Sequence, residues 1–184
     1  MKRSVYPVLL LSFQLLTVLS LFSCQKNSNA ILSTAPEKGD GLCIYKAIPE
    51  TGIQDPGGEL DVSAFRIGDK PIIRYSDITA YEIATHTITL NMPVDSLSIE
   101  KDVHGTPFIL TLDGDKMHGG WFWTAAASTV CHWIVIVPDW PSDDLQDNQI
   151  KIQRGYPSPQ FFEGVDPRNN PEIMSRLYSD GKAK

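Results

Sequence analysis

The residues of this 184-residue chain whose types could do chemistry are three cysteines, four histidines and a cluster of aromatic rings. An imidazole can ligate a metal or carry a proton, and its neighbours decide which. His86, His104, His118 and His132 show no H-x-x-x-H or H-E-x-x-H spacing, and the cysteines form no C-x-x-C. No metal and no cofactor is therefore expected. His118 and His132 lie close in sequence to Asp113 and Asp115. A His/Asp pair there would suit a hydrolase, with the imidazole as base and the carboxylate holding it. No G-x-S-x-G elbow, phosphate loop or dinucleotide fingerprint accompanies them, so no catalytic residue is assigned and a non-catalytic domain is the first expectation. The aromatics Trp121, Trp123, Trp133, Trp140, Tyr156, Phe161 and Phe162 are crowded into residues 121–162. Indole offers a flat apolar face with a polar edge. With Trp121 and Trp123 facing solvent, they would join His118 and His132 as a ligand-binding set for a glycan or a peptide. With the rings turned inward, they would be the core of the domain.

The cysteines divide by position. Residues 1–23 hold Lys2 and Arg3 but no acid, and Val8 to Phe22 is almost wholly apolar. That run of about 15 residues is shorter than the roughly 20 needed to cross a bilayer. It reads as a signal peptide, with a basic start, an apolar centre and a small residue before the next segment. Cys43 and Cys131 remain in the body of the chain. Outside the cytoplasm they are free to form a disulfide, and otherwise they behave as two small buried hydrophobes.

Leu21-Phe22-Ser23-Cys24 resembles the lipobox of bacterial lipoproteins. The resemblance implies that Cys24 is lipidated, that cleavage precedes it, and that acyl chains, palmitate among them, hold the mature protein to a membrane. Each buried methylene contributes ~0.8 kcal/mol, so two or more chains anchor firmly. Gln25 stands where an inner-membrane retention signal would place Asp. That favours the outer membrane, with the domain facing the periplasm.

The whole chain has a formal charge of −6, and losing residues 1–23 removes two cations and no acid, leaving −8. An acidic body argues against nucleic acid as a partner. The membrane, through the lipid, and an envelope protein or glycan are the partners expected.

The chain divides into a signal peptide, 1–23, an anchor and polar tether, 24–40, and one folded domain, 41–180. Leu42 to Ile48 has strand-forming residues, Leu60 to Ile67 alternates loosely, and Pro71 starts another extended piece. Residues 77–81 suit a short helix or a strand, and Asp95 to Lys101 one or two helical turns. Thr85 to Leu90 alternates cleanly and places His86 on the apolar face of a half-buried strand. Phe108 to Leu112 and Met117 to Trp123 flank Asp113-Gly114-Asp115, a strong hairpin signal. Cys131 to Val137 is apolar throughout, as in a strand covered on both faces. Gln149 to Gln153 is a short strand. Asn170, Pro171 and Glu172 open a C-terminal helix that Gly181 ends. The expected fold is α+β, with a mostly antiparallel sheet of five to seven strands, one or two short helices and the C-terminal helix.

Asp77-Ile78, Thr85-His86, Gly105-Thr106-Pro107-Phe108, Asp113-Gly114, Gly120-Trp121-Phe122-Trp123, Gly155-Tyr156-Pro157 and Asp166-Pro167-Arg168 follow one another in this chain. Their order resembles that of a group of small bacterial lipoproteins, which carries no known activity to transfer. The order of strands between Ile78 and Val137 is also faintly similar to the periplasmic head of SecD. That similarity implies an accessory role in envelope protein export, although the membrane helices of SecD have no counterpart here.

Overall fold

A computed structural model describes residues 39–52, 55–139 and 144–184. The signal peptide, Cys24, most of the tether and Trp140 lie outside the described residues. Among those described, eight strands form one sheet: β1 (Leu42–Pro49), β2 (Phe65–Ile73), β3 (Ile78–Glu82), β4 (Thr87–Leu90), β5 (Thr106–Leu112), β6 (Asp115–Phe122), β7 (Cys131–Ile136) and β8 (Gln149–Tyr156). Their spatial order is β2-β1-β5-β6-β7-β8-β4-β3. Every pair is antiparallel except β6 with β7. One α-helix, α1 (Pro171–Ser179), follows. The architecture is α+β and mostly antiparallel, with eight strands where five to seven were expected.

The sheet is curled. β2 and β3 stand at opposite ends of the strand order, yet only Arg74–Asp77 separate them in sequence. Seven strand spacings of about 4.8 Å would hold them roughly 34 Å apart in a flat sheet. The chain from Ile73 to Ile78 reaches at most about 18 Å. The edges therefore approach each other, as in a barrel whose register climbs from strand to strand. Tyr75 sits at this corner. Its hydroxyl donates to Asp180 at 2.8 Å, and Lys182 Nζ donates to the carbonyls of Tyr75 and Ile78. The C-terminal tail then pairs with the free edge of β3, with Tyr81 N–H donating to Lys182 O and Lys184 N–H to Tyr81 O.

Local chemistry explains the elements that position side chains. Asp113 and Gly114 both have positive φ, 50° and 86°, which is the backbone of a two-residue hairpin turn matched to strand twist. Asp113 then accepts from Gly41 N–H at 2.8 Å and from Arg176 Nη1 at 3.0 Å, tying the hairpin to the start of β1 and to α1. Asn170 caps α1 by accepting from Glu172 N–H at 2.8 Å, and Ile173 and Leu177 are its buried stripe.

Several local expectations change. Residues 65–73 form a single strand that passes through Pro71, because β2 is an edge strand whose register with β1 shifts on either side of the Tyr45–Pro71 pair, an irregularity that accommodates a residue without an N–H. Of residues 77–81, Ile78 to Tyr81 lie in β3 itself, the strand alternative, and Asp77 closes the Tyr75–Asp77 3-10 turn before it. Only Val94–Ser96 turns as a 3-10 segment where Asp95 to Lys101 was expected to be helical. His86 precedes β4 instead of lying in it. It occupies the tight β3–β4 turn with φ of 54° and remains buried.

Candidate functional site

β5, β6 and β7 are buried on both faces, and the two faces hold different chemistry. Gly119, Trp121 and Trp133 share one face, since Trp121 pairs with Val135 in the parallel β6–β7 ladder and Gly119 therefore lies level with Trp133. Trp121 Nε1 donates to Gly58 O at 2.8 Å, so the 55–61 loop lies over this face. Trp133 Nε1 donates to Gly119 O at 3.0 Å, and its ring stacks on Phe162 with centroids 5.4 Å apart. Trp121 and Trp123 meet edge to face at 6.5 Å. Their exposures are 0% and 2%. The two rings are therefore core, and their reading as a solvent-facing stacking pair is corrected. The cause is the 55–61 loop, whose carbonyls supply a hydrogen-bond partner that a sequence pattern does not reveal.

Cys43 and Cys131 are both free and buried. β1 and β7 are three places apart in the strand order, about 14 Å across a sheet, whereas a disulfide needs Cα atoms within about 7 Å. The disulfide reading is corrected accordingly. Burial pushes the Cys131 thiol up to about 12 and also raises that of Cys43. Neither thiol is a nucleophile in this state.

The opposite face of β6 carries His118, which is 6% exposed. Its Nδ1 lies 3.4 Å from Gly119 O, and it feels the charges of Asp166, Arg168 and His86, which belong to a polar cluster drawn from other places in the chain. Tyr81 Oη and His86 Nδ1 are hydrogen-bonded at 2.9 Å. Arg168 makes a two-pronged pair with Asp166, at 2.9 and 2.7 Å, and donates a further hydrogen bond to Ile152 O at 2.9 Å. The Arg168 hydrogen bonds hold the Asp166 carboxyl down to about 2. Burial, reinforced by the Arg168 charge, lowers His86 to about 4. Burial lowers His118 to about 4 as well, against the opposing pull of Gly119 O and Asp166. Both imidazoles are neutral at pH 7. Sealed in this way, His118 meets no carboxylate of the Asp113 turn.

His132 is placed differently. Its side chain is 42% exposed, with Nδ1 3.0 Å from Phe161 O and 3.4 Å from Glu163 Oε1. This puts a carboxylate beside an exposed imidazole, but at the 157–165 loop rather than at the hairpin. His118 and His132 therefore do not converge on one site. The members of the polar cluster that the sequence left unassigned were signalled by His86 on an apolar face and by the Asp166-Pro167-Arg168 run.

A cavity of about 260 Å³ opens beyond the end of β7 and the start of β8, with Val94, Val137, Pro138 and Ile150 as apolar lining. Asp95, Gln146 and Asp147 stand at the same cavity. Val94 N–H donates to Asp147 O at 2.8 Å, and Asn148 Nδ2 to Leu90 O at 2.8 Å, which fastens the 144–148 segment to β4 and its following turn. Among the described residues, no ion pair engages Asp95 or Asp147. The sequence holds no Lys or Arg between Lys116 and Lys151, and this was the signal available for an acidic end. No group of three or more His, Cys, Asp or Glu side chains is arranged to hold a metal among the described residues. No protein-family model, curated protein or solved structure matches this chain.

Proposed function

We propose that this chain is a lipid-anchored protein of the bacterial cell envelope whose folded domain binds or positions a partner without catalysis. The anchor is Cys24, reached through the Leu21-Phe22-Ser23-Cys24 motif, and the favoured location is the periplasmic side of the outer membrane. One observation carries the binding reading: the cavity lies at the end of the domain opposite to the tether. β1 begins at Leu42, where the chain comes from the tether, and β7 runs in the same direction as β1. The cavity lies past the last residue of β7, so anchoring at one end leaves it facing away from the membrane. Its largely polar lining, with Val94, Val137 and Ile150 as a smaller apolar part and Asp95 and Asp147 engaged by no ion pair among the described residues, suits a partner that presents a short alkyl stem ending in a positive charge.

The experiment is photocrosslinking in intact envelopes, with a crosslinking residue at Gln146 and a control at Glu172 on α1. The same adduct, recovered repeatedly from position 146 and not from 172, is the result expected. Equal recovery from both positions, or none from 146, overturns the binding reading. Mass spectrometry of the membrane fraction should find acylated Cys24, and an unmodified chain there removes the anchor. The hydrolase alternative keeps one supporting contact, His132 with Glu163. It requires an esterase or amidase activity that His132→Gln abolishes.

A further inference from the structure

The polar cluster lies at one of the two shortest seams of the sheet. The parallel β6–β7 ladder has two paired residues, and the β4–β8 seam has three, Thr87 with Lys151, Ile88 with Ile150 and Thr89 with Gln149. Its next hydrogen bond runs from Ile152 N–H to the carbonyl of His86, at 2.9 Å. The adjoining carbonyl, Ile152 O, is held by Arg168. The turn residue His86 therefore ends the seam with its backbone and enters the cluster with its ring. β3 and β4 form a short hairpin beyond this seam, and on its far side β3 meets only the tail residues 182–184.

At neutral pH both imidazoles are neutral, and the single carboxylate Asp166 already serves Arg168 at 2.7 Å and Arg154 at 3.8 Å. The charges facing His86 are Arg168, Asp166, and Arg154 and Lys151 from β8, with the Tyr81 hydroxyl from β3. Those facing His118 are Asp166 and Arg168, with His86 itself adding to them when protonated. Each proton taken up thus adds a positive charge where Arg168 already sits and where its only counter-charge is engaged in a two-pronged pair. Moving the β3–β4 hairpin away from β8 carries His86, which sits in its turn, out to water.

We propose that the Tyr81–His86–His118–Arg168 cluster is an acid-operated latch that releases the β3–β4 hairpin from β8 while the β5–β6 hairpin stays folded. Protonation is the only covalent event, and the water that solvates the opened cluster supplies its protons. The closed form disfavours the charged rings, so the latch holds fully above the ordinary histidine value near 6.5. It weakens as pH falls from there towards 4. At pH 4.5 a single imidazole shifted from 6.5 to 4 favours the open form by roughly 80-fold relative to pH 8.

The test is hydrogen exchange with mass spectrometry on the full lipoprotein in detergent micelles, at pH 7.5 and 4.5, corrected for intrinsic exchange rates. Protection of residues 78–90 and 149–152 is expected to fall at least tenfold more than that of residues 106–122. Asn tolerates the left-handed turn, so the His86→Asn, His118→Gln double variant should fold and lose this selective response. Uniform loss of protection across the domain overturns the latch. So does an unchanged selective loss in the double variant. Where that variant does not fold, NMR titration of the wild-type imidazoles decides. A ring that becomes charged in step with hairpin opening supports the latch, and one that titrates near 6.5 with the hairpin closed refutes it.

Discussion

Trp121 and Trp123 offer a comparison in which nearly everything but one hydrogen bond is matched. They are two residues apart on one face, touch edge to face, and are 0% and 2% exposed. Trp121 Nε1 donates to Gly58 O at 2.8 Å. Trp123 Nε1 is buried and has no partner. Replacing either by Phe shrinks the ring and leaves a small void, which costs about 1 kcal/mol in a packed core. Trp121→Phe also orphans the Gly58 carbonyl beneath the covering loop, adding ~1–3 kcal/mol. Trp123→Phe deletes an unpaired donor that already costs the native state about the same amount.

The expected change is therefore a loss of about 2–4 kcal/mol for Trp121→Phe and between zero and a gain of about 2 kcal/mol for Trp123→Phe. With a urea slope of about 2 kcal/mol/M, the two midpoints should differ by roughly 1–3 M. Urea unfolding followed by far-UV circular dichroism measures this without relying on the indoles as reporters. Equal midpoints at unchanged slope would refute the reasoning. They would mean that the 55–61 loop adds nothing through Gly58, or that the Trp123 indole is satisfied in solution.

Two further outcomes follow from the same packing. Asp166→Asn should destabilise by about 2 kcal/mol at pH 7, because a carboxyl held near 2 by Arg168 stabilises the fold above its ordinary value of 3.8. That contribution fades as pH falls towards 2, so the wild-type advantage should shrink in urea titrations at pH 3; a constant difference contradicts the ion-pair origin. Gly120→Ala should lower the melting temperature by several degrees, since its Cβ would lie 2.5 Å from Phe108 Cζ and 2.8 Å from Ile134 O. Gly52→Ala meets nothing within 4 Å and should be silent by comparison.

What the sequence made legible was what adjacent residues decide between themselves. Asp113-Gly114 announces a hairpin because the turn needs two left-handed residues, and Asp and Gly accept that backbone. Asn170-Pro171-Glu172 announces a helix because cap, fixed φ and first-turn acid act within four residues. Thr85 to Leu90 marked a half-buried strand, but the alternation placed His86 within it. The β3–β4 connection is so tight that His86 must turn instead. Pairing was not legible. β8 follows β7 in the chain, yet its other neighbour is β4, some sixty residues earlier. Nothing local in Ile150 or Ile88 specifies that meeting. The tryptophans stayed open between core and solvent for the same reason: their alternation gives a face, while the distant loop at Gly57–Asp61 decides whether that face sees water.

This covering loop also limits where the domain can do anything. β5 to β7 have side chains buried on both faces, so the middle of the sheet presents no wall to a ligand. Contact with other molecules is left to strand ends, connecting loops and the two edges. Tyr75, Lys182 and the tail occupy one corner of those edges. β2 carries Pro71 and the charged pair Asp69-Lys70 on the other, features that discourage strand addition. The start of β1 continues into the tether. Of the described surface, the loops past β7, the 55–61 loop and the 157–165 loop are places where a partner meets shape and charge together. The loops past β7 combine a cavity with Asp95 and Asp147, and the 55–61 loop combines one of about 350 Å³ with Asp55, Glu59 and Asp61; among the described residues no ion pair engages these five carboxylates, whereas in the 157–165 loop Glu163 stands 3.4 Å from His132. On the proposed anchoring, a domain held by its β1 end and recognised at its β7 end would bridge a membrane and a partner. In that arrangement the proposed acid latch of the β3–β4 hairpin would bear on recognition, because Leu90 and Val94 are tied to the 147–148 backbone beside the cavity. Opening the hairpin would loosen one wall of the site at the same time.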